Sequence, residues 1–133
     1  MQALLNEVTA NIRLIRLWSK HVLRLRYWGT TCDSSVLVLA TELLPGASLA
    51  QHSSISQEAV EDAMAALSAV HSAGMLHGDI RADNVMLLQN GVRPCAQLVD
   101  FIFAQDAGAD QMRQEVKKLK QPLDRHACIP AVY

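Results

Sequence analysis

The 133-residue sequence predicts an α+β fold, and three observations predict it. Residues 4–18 and 56–73 repeat apolar side chains at intervals of three and four, the period of a helix with one buried face. Short runs at 22–27, 36–44, 75–76, 85–88 and 97–99 alternate or are continuously apolar over strand lengths. Turn formers separate them, and no run reaches the roughly 18 apolar residues that a membrane span needs.

Along the chain, Leu4, Leu5, Val8, Ile12, Ile15 and Trp18 define the apolar stripe of a first helix that ends near Ser19. Residues 22–27 alternate apolar and basic side chains as a half-buried strand does. Residues 29–35 are rich in turn formers, and 36–44 read as a buried strand that stops at Pro45-Gly46. A second helix spans 56–73, with Glu58, Glu61 and Asp62 near its positive end, an inward row of Val60, Met64, Leu67 and His71, and Gly74 as its stop. Asn90-Gly91 predicts a hairpin between 85–88 and 97–99. A basic helix from 110 to 120 stops before Pro122.

Composition narrows the function classes. The chain is 50% hydrophobic and 19% charged, which excludes intrinsic disorder and predicts one domain. No signal peptide is visible in the first residues, so a cytoplasmic or otherwise intracellular protein is expected. Cys32, Cys95 and Cys128 are an odd, widely spaced set that suggests neither a disulfide framework nor a zinc ribbon. His21, His52, His71, His77 and His126 contain no i, i+4 pair and do not form a metal set. A net charge of −1 hides a basic start, a basic end and an acidic centre, in which only Arg81 and Arg93 oppose ten acids between Asp33 and Asp110. Such a centre is either a divalent-cation site or a solvated acidic surface. Nucleic-acid binding is not expected, because the N-terminal arginines alternate with large apolar residues.

The chemistry concentrates in two segments, His77-Gly78-Asp79-Ile80-Arg81-Ala82-Asp83-Asn84 and Asp100-Phe101-Ile102. The predicted hairpin brings Asn84, at the start of one strand, to the same end as Asp100, at the close of its partner. Asp and Asn oxygens are hard ligands that suit Mg²⁺ together with substrate phosphates. Asp79 can accept a proton from an attacking hydroxyl, and Arg81 can place a guanidinium on a phosphoryl oxygen.

This ordered set resembles the catalytic loop and metal-binding motif of the protein-kinase-like superfamily, H-R-D-x-x-x-x-N followed by D-F-G. The resemblance spans roughly residues 4–120. Glu7 stands where the family's helix-C glutamate would, residues 22–27 match its fourth strand, and 36–44 match the fifth strand running into the hinge. The resemblance implies an ATP-dependent phosphotransferase using Mg²⁺, with Asp79 as base, Arg81 on phosphate, and Asn84 and Asp100 as metal ligands. Thr41 would be the gatekeeper, the Glu42 carbonyl and Leu44 amide would bind adenine, and Met86 would form the floor beneath it. His77 and Phe101 would pack together to hold the metal loop. It also implies a partial kinase-like fold: an N-lobe remnant at 1–41, a hinge at 42–50, a minimal, mainly helical C-lobe at 51–120 and a tail at 121–133.

Departures from the family pattern shape the expectation. Gly78 replaces an arginine, as in aminoglycoside and choline kinases, so activation by loop phosphorylation is not expected. Ile102 replaces the flexible glycine, and a β-branched residue does not readily take positive φ. No Gly-rich loop and no strand lysine precede the first helix, which leaves Glu7 without an ion-pair partner. Two readings follow: the core of a kinase acting on a protein Ser or Thr hydroxyl, with its first strands outside this chain, or a catalytically inactive, kinase-like module that binds a protein partner.

Overall fold

The computed structural model describes residues 2–31, 33, 36–88 and 93–127. The first helix, α1 (Gln2–Arg13), is followed by a 3₁₀ turn at Ile15–Leu17. Val8, Ala10 and Asn11 of α1 and Leu14 just after it are buried, whereas Ile12 of the helix and Ile15 of the turn point outward at 44% and 55% exposure. The stripe of large apolar residues expected over 4–18 is thus corrected. The helix ends at Arg13, and the tighter 3₁₀ turn rotates Ile15 away from the core.

Strands β1 (Leu25–Thr30) and β2 (Leu37–Thr41) form an antiparallel ribbon in which Trp28 faces Leu39. Gly29 and Thr30, expected in a turn, extend β1. The run at 36–44, expected to be a buried strand, is half exposed: Val38, Ala40 and Thr41 face outward, and Leu37 and Leu39 are half-buried. The reason is that α1 packs against this ribbon on one side, so alternate residues of β2 stay uncovered.

A second sheet has the order β3 (Gly46–Ser48), β5 (Val85–Leu88), β6 (Ala96–Leu98), all antiparallel. Gly46, expected to stop the preceding strand, opens β3 instead, because a Cβ there would fall on the Leu87 carbonyl and only glycine lets the strands approach this closely. The hinge assigned to 42–50 therefore ends in strand, and Leu49–Gln51 form a 3₁₀ turn. The β5–β6 pairing sets Val85 opposite Leu98 and Met86 opposite Gln97. The Asn90-Gly91 turn predicted to join these strands lies outside the described residues, as do Cys32 and Cys128. Val22 pairs in parallel with Leu98, which ties the segment before β1 to the edge of β6.

Helix α2 (Gln57–Ser72) starts at Ser56, whose hydroxyl accepts the Ala59 N–H, and stops where Gly74 takes φ +84. Its inward face is Ala59, Asp62, Ala63, Ala66, Leu67 and Val70. The predicted row of Val60, Met64, Leu67 and His71 is offset by about one position. Three alanines let the helix approach β6 closely, and Val60 and Met64 pack at the margin. Strand β4 (Met75–Leu76) pairs with β7 (Gln105–Asp106).

Helix α3 (Ala109–His126) runs through Pro122, which corrects the expected stop and moves residues 121–126 from tail to helix. An interior proline costs about 3 kcal/mol through the lost N–H and ring crowding. Burial of Leu123, 1% exposed, and the 2.8 Å bond from the Ile55 N–H to the His126 carbonyl offset it. One core joins α1, α2, α3 and the three-stranded sheet through Leu14, Val22, Leu67, Leu98, Phe101 and Leu119. No helix among the described residues is long and apolar enough to cross a membrane.

Candidate functional site

The loop after β4 is anchored from below by a carboxylate on α3. Glu115, 5% exposed, accepts the His77 N–H at 3.1 Å, the Gly78 N–H at 2.7 Å and His71 Nε2–H at 2.8 Å. Gly78 has φ +92, and a Cβ there would fall on the Phe103 carbonyl, so no other residue fits this turn undistorted. His77 is fully buried; its Nε2–H donates to the Val99 carbonyl at 2.7 Å and its Nδ1 accepts the Asp79 N–H at 3.1 Å. Burial lowers its pKa below the usual histidine value, so both nitrogens are used by the neutral ring. The ring packs on Phe101 with centroids 4.6 Å apart.

The same loop then turns its polar groups toward the end of the β5–β6 hairpin. Asn84 Nδ2 donates to the Asp79 carbonyl at 2.8 Å and to the Asp79 carboxylate at 3.2 Å. Its side-chain oxygen has no hydrogen-bond partner among the described residues. The Val99 N–H donates to the Asn84 carbonyl at 3.0 Å, which sets Asp100 one residue beyond that pairing. Arg81 Nε lies 3.7 Å from the Asp79 carboxylate. Asp79, Arg81, Asn84 and Asp100 therefore gather at one end of the hairpin.

Asp100 takes φ +65, a left-handed conformation that Asp tolerates, and its carboxylate accepts the Ile102 N–H at 3.4 Å. Positive φ falls on Asp100, so the β-branched Ile102 is not asked to adopt it. The segment that follows is held by α1. Asn6 Nδ2 donates to the Ile102 carbonyl and, at 3.2 Å, to the Ala104 carbonyl, and Arg13 pairs with Asp106 at 2.7 Å. Glu7 also faces this segment: burial and the Asp100 charge raise its pKa, against a hydrogen bond from the Phe101 N–H.

The expected base-binding residues sit on other segments. Thr41 ends β2 opposite Leu25 and is exposed. The Glu42 carboxylate accepts the Ser19 hydroxyl at 3.1 Å and the Arg24 N–H at 3.0 Å, and its own N–H donates to the Arg24 carbonyl at 3.0 Å. The Glu42 carbonyl and Leu44 N–H make no backbone hydrogen bond among the described residues. Met86 is half-buried in the middle strand between Ser48 and Gln97, and the buried Gln97 Oε1 has no partner among the described residues.

No group of three or more His, Cys, Asp and Glu side chains arranged for a metal occurs among the described residues. An ion here would rest on the Asp100 carboxylate and the Asn84 side-chain oxygen, with substrate phosphates completing its shell. That donor set fits Mg²⁺, which commonly takes few protein ligands. Sequence reasoning missed two supporting residues. Glu115 is the acid on the otherwise apolar buried stripe completed by Leu119 and Leu123, and that interruption was its signal. Asn6 left none, because its partners lie 96 and 98 residues away. The sequence matches no protein-family model and no curated protein.

Proposed function

We propose that this chain is the core of an ATP-dependent phosphotransferase of the protein-kinase type, transferring the γ-phosphate of ATP to a serine or threonine hydroxyl of a protein. The observation that carries the reading is the joining of Asp79 and Asn84 through two hydrogen bonds at the hairpin end that also bears Asp100. In this reading the Asp79 carboxylate receives the hydroxyl proton while the substrate oxygen bonds to the γ-phosphorus and ADP leaves. Asn84 keeps that carboxylate oriented, and Arg81 meets negative charge on the transferred group. Asn84 and Asp100 would hold Mg²⁺, which when bound neutralises phosphate charge. The unengaged Glu42 carbonyl and Leu44 N–H are available to a base edge, and Met86 to its face.

A second reading, a catalytically inactive kinase-like module that binds a protein, draws on Glu7. Its neighbours are Asp100 and the Phe101 N–H, and no cation pairs with it among the described residues. Calorimetric titration with ATP, with and without Mg²⁺, tests both readings beside an Asp100→Asn variant. Mg²⁺-dependent binding that Asp100→Asn weakens at least about tenfold, with phosphate transfer lost in Asp79→Asn, is expected. Binding without transfer in the unsubstituted chain selects the inactive module, and no binding at millimolar ATP overturns the phosphotransferase.

A further inference from the structure

Beside the loop that carries Asp79, a cavity of about 290 Å³ opens between residues 80–82 and the second half of α3. Its charged lining is wholly cationic: Arg81 from the loop and Lys118 and Arg125 from the helix, with Ile80 and Pro122 as apolar wall. Lys118 and Arg125 have no ion-pair partner among the described residues. Arg81 reaches only Asp79, with 61% of its side chain exposed. Three like charges around one recess repel each other and favour a ligand that neutralises them.

The spacing says more about that ligand. Lys118 and Arg125 are seven residues apart on one helix, about 10.5 Å along its axis. Acids two or four residues apart on an extended peptide share one face and span about 7 or 13 Å, within reach of both long cationic side chains. A single phosphate would have to draw two long side chains inward, at a cost in their conformational entropy.

We propose that this recess recognises acidic residues near the phosphate-accepting serine or threonine, so that the substrate class is an acidic peptide. The proposal rests on the reading of Asp79 as the base, since Arg81 touches both that carboxylate and the recess.

Fluorescence anisotropy of a labelled serine peptide flanked by glutamates, beside the same peptide with glutamines, tests it at low and physiological ionic strength. Tighter binding of the acidic peptide by about tenfold or more is expected, with that advantage lost in Lys118→Gln/Arg125→Gln. Lys117→Gln/Lys120→Gln removes the same charge from the same helix outside the recess and is expected to change affinity less than about twofold. Equal binding of the two peptides, no binding of the acidic one, or equal losses in both double variants overturns the proposal. Displacement of the peptide by equimolar inorganic phosphate overturns it in favour of a single-anion site. Calorimetric ATP binding by the unsubstituted protein separates the premises. Peptide failure with ATP bound sinks the acidic-substrate proposal alone, and ATP failure with the peptide result intact sinks the phosphotransferase and leaves an acidic-peptide site.

Discussion

Replacing Glu115 by alanine removes the acceptor of three hydrogen bonds in one step. The His77 N–H loses its partner in a fully buried setting, while the Gly78 N–H, on an exposed residue, can turn to water. A hydrogen bond to a charged acceptor contributes about 1.5–3 kcal/mol, and a buried orphaned donor costs about 1–3 kcal/mol. Counting His77 fully and His71 and Gly78 in part gives a loss of about 3–5 kcal/mol, a large share of the roughly 5–15 kcal/mol that holds a domain together. Glu115→Gln keeps one acceptor oxygen but turns an amide donor toward another donor, so its loss is expected to be about 1–2 kcal/mol. Urea unfolding followed by circular dichroism reads both, with the slope unchanged if only stability is altered. A loss below about 1 kcal/mol for Glu115→Ala would refute the reasoning, since His77 and Gly78 would then be satisfied without this carboxylate.

Gly78→Ala puts a methyl group on the Phe103 carbonyl at a positive φ, and a loss of more than about 2 kcal/mol is expected in thermal unfolding. A melting temperature within a degree or so of the unsubstituted chain would show that the loop relaxes freely. His77 gives a pH dependence. Burial lowers its folded pKa below 6.5, so the folded state binds fewer protons than the unfolded one in that range. Its contribution to stability is complete above pH 6.5 and falls as the pH drops from there toward the folded pKa, by at most about 1.4 kcal/mol per pH unit. His21, shifted the same way by burial, adds to the slope, so the readout is the difference between the unsubstituted chain and His77→Gln in urea midpoints at pH 7 and 5.5. Parallel pH profiles for the two proteins would contradict it.

The loop from His77 to Asn84 and the hairpin that follows were legible because their determinants are local. Gly74 stops a helix, apolar runs of strand length flank a turn, and pairing of Val85 with Leu98 carries Asn84 and Asp100 to the same end. The faces of α1 and α2 were less legible, because in a sequence a large apolar residue marks a buried face more strongly than an alanine does. The core selected Ala59, Ala63 and Ala66, whose small side chains permit close approach, and left Ile12 and Ile15 outside. Pro122 is a strong local stop signal, yet the burial of Leu123 and the contact of His126 with Ile55 lie beyond it.

The sequence by itself determined the three helices and the strands other than β3 and β7, the end of α2 and the grouping of Asp79, Arg81, Asn84 and Asp100, since each depends on backbone preference or on pairing between near neighbours. Tertiary structure alone decided what holds and surrounds that group. Glu115 grips the loop from 38 residues away, Asn6 and Glu7 reach residues 101–104 from the start of the chain, and Lys118 and Arg125 close the recess beside Arg81. Contacts of that range follow from how helices stack on the sheet, which the packing of one shared core fixes and no local pattern encodes.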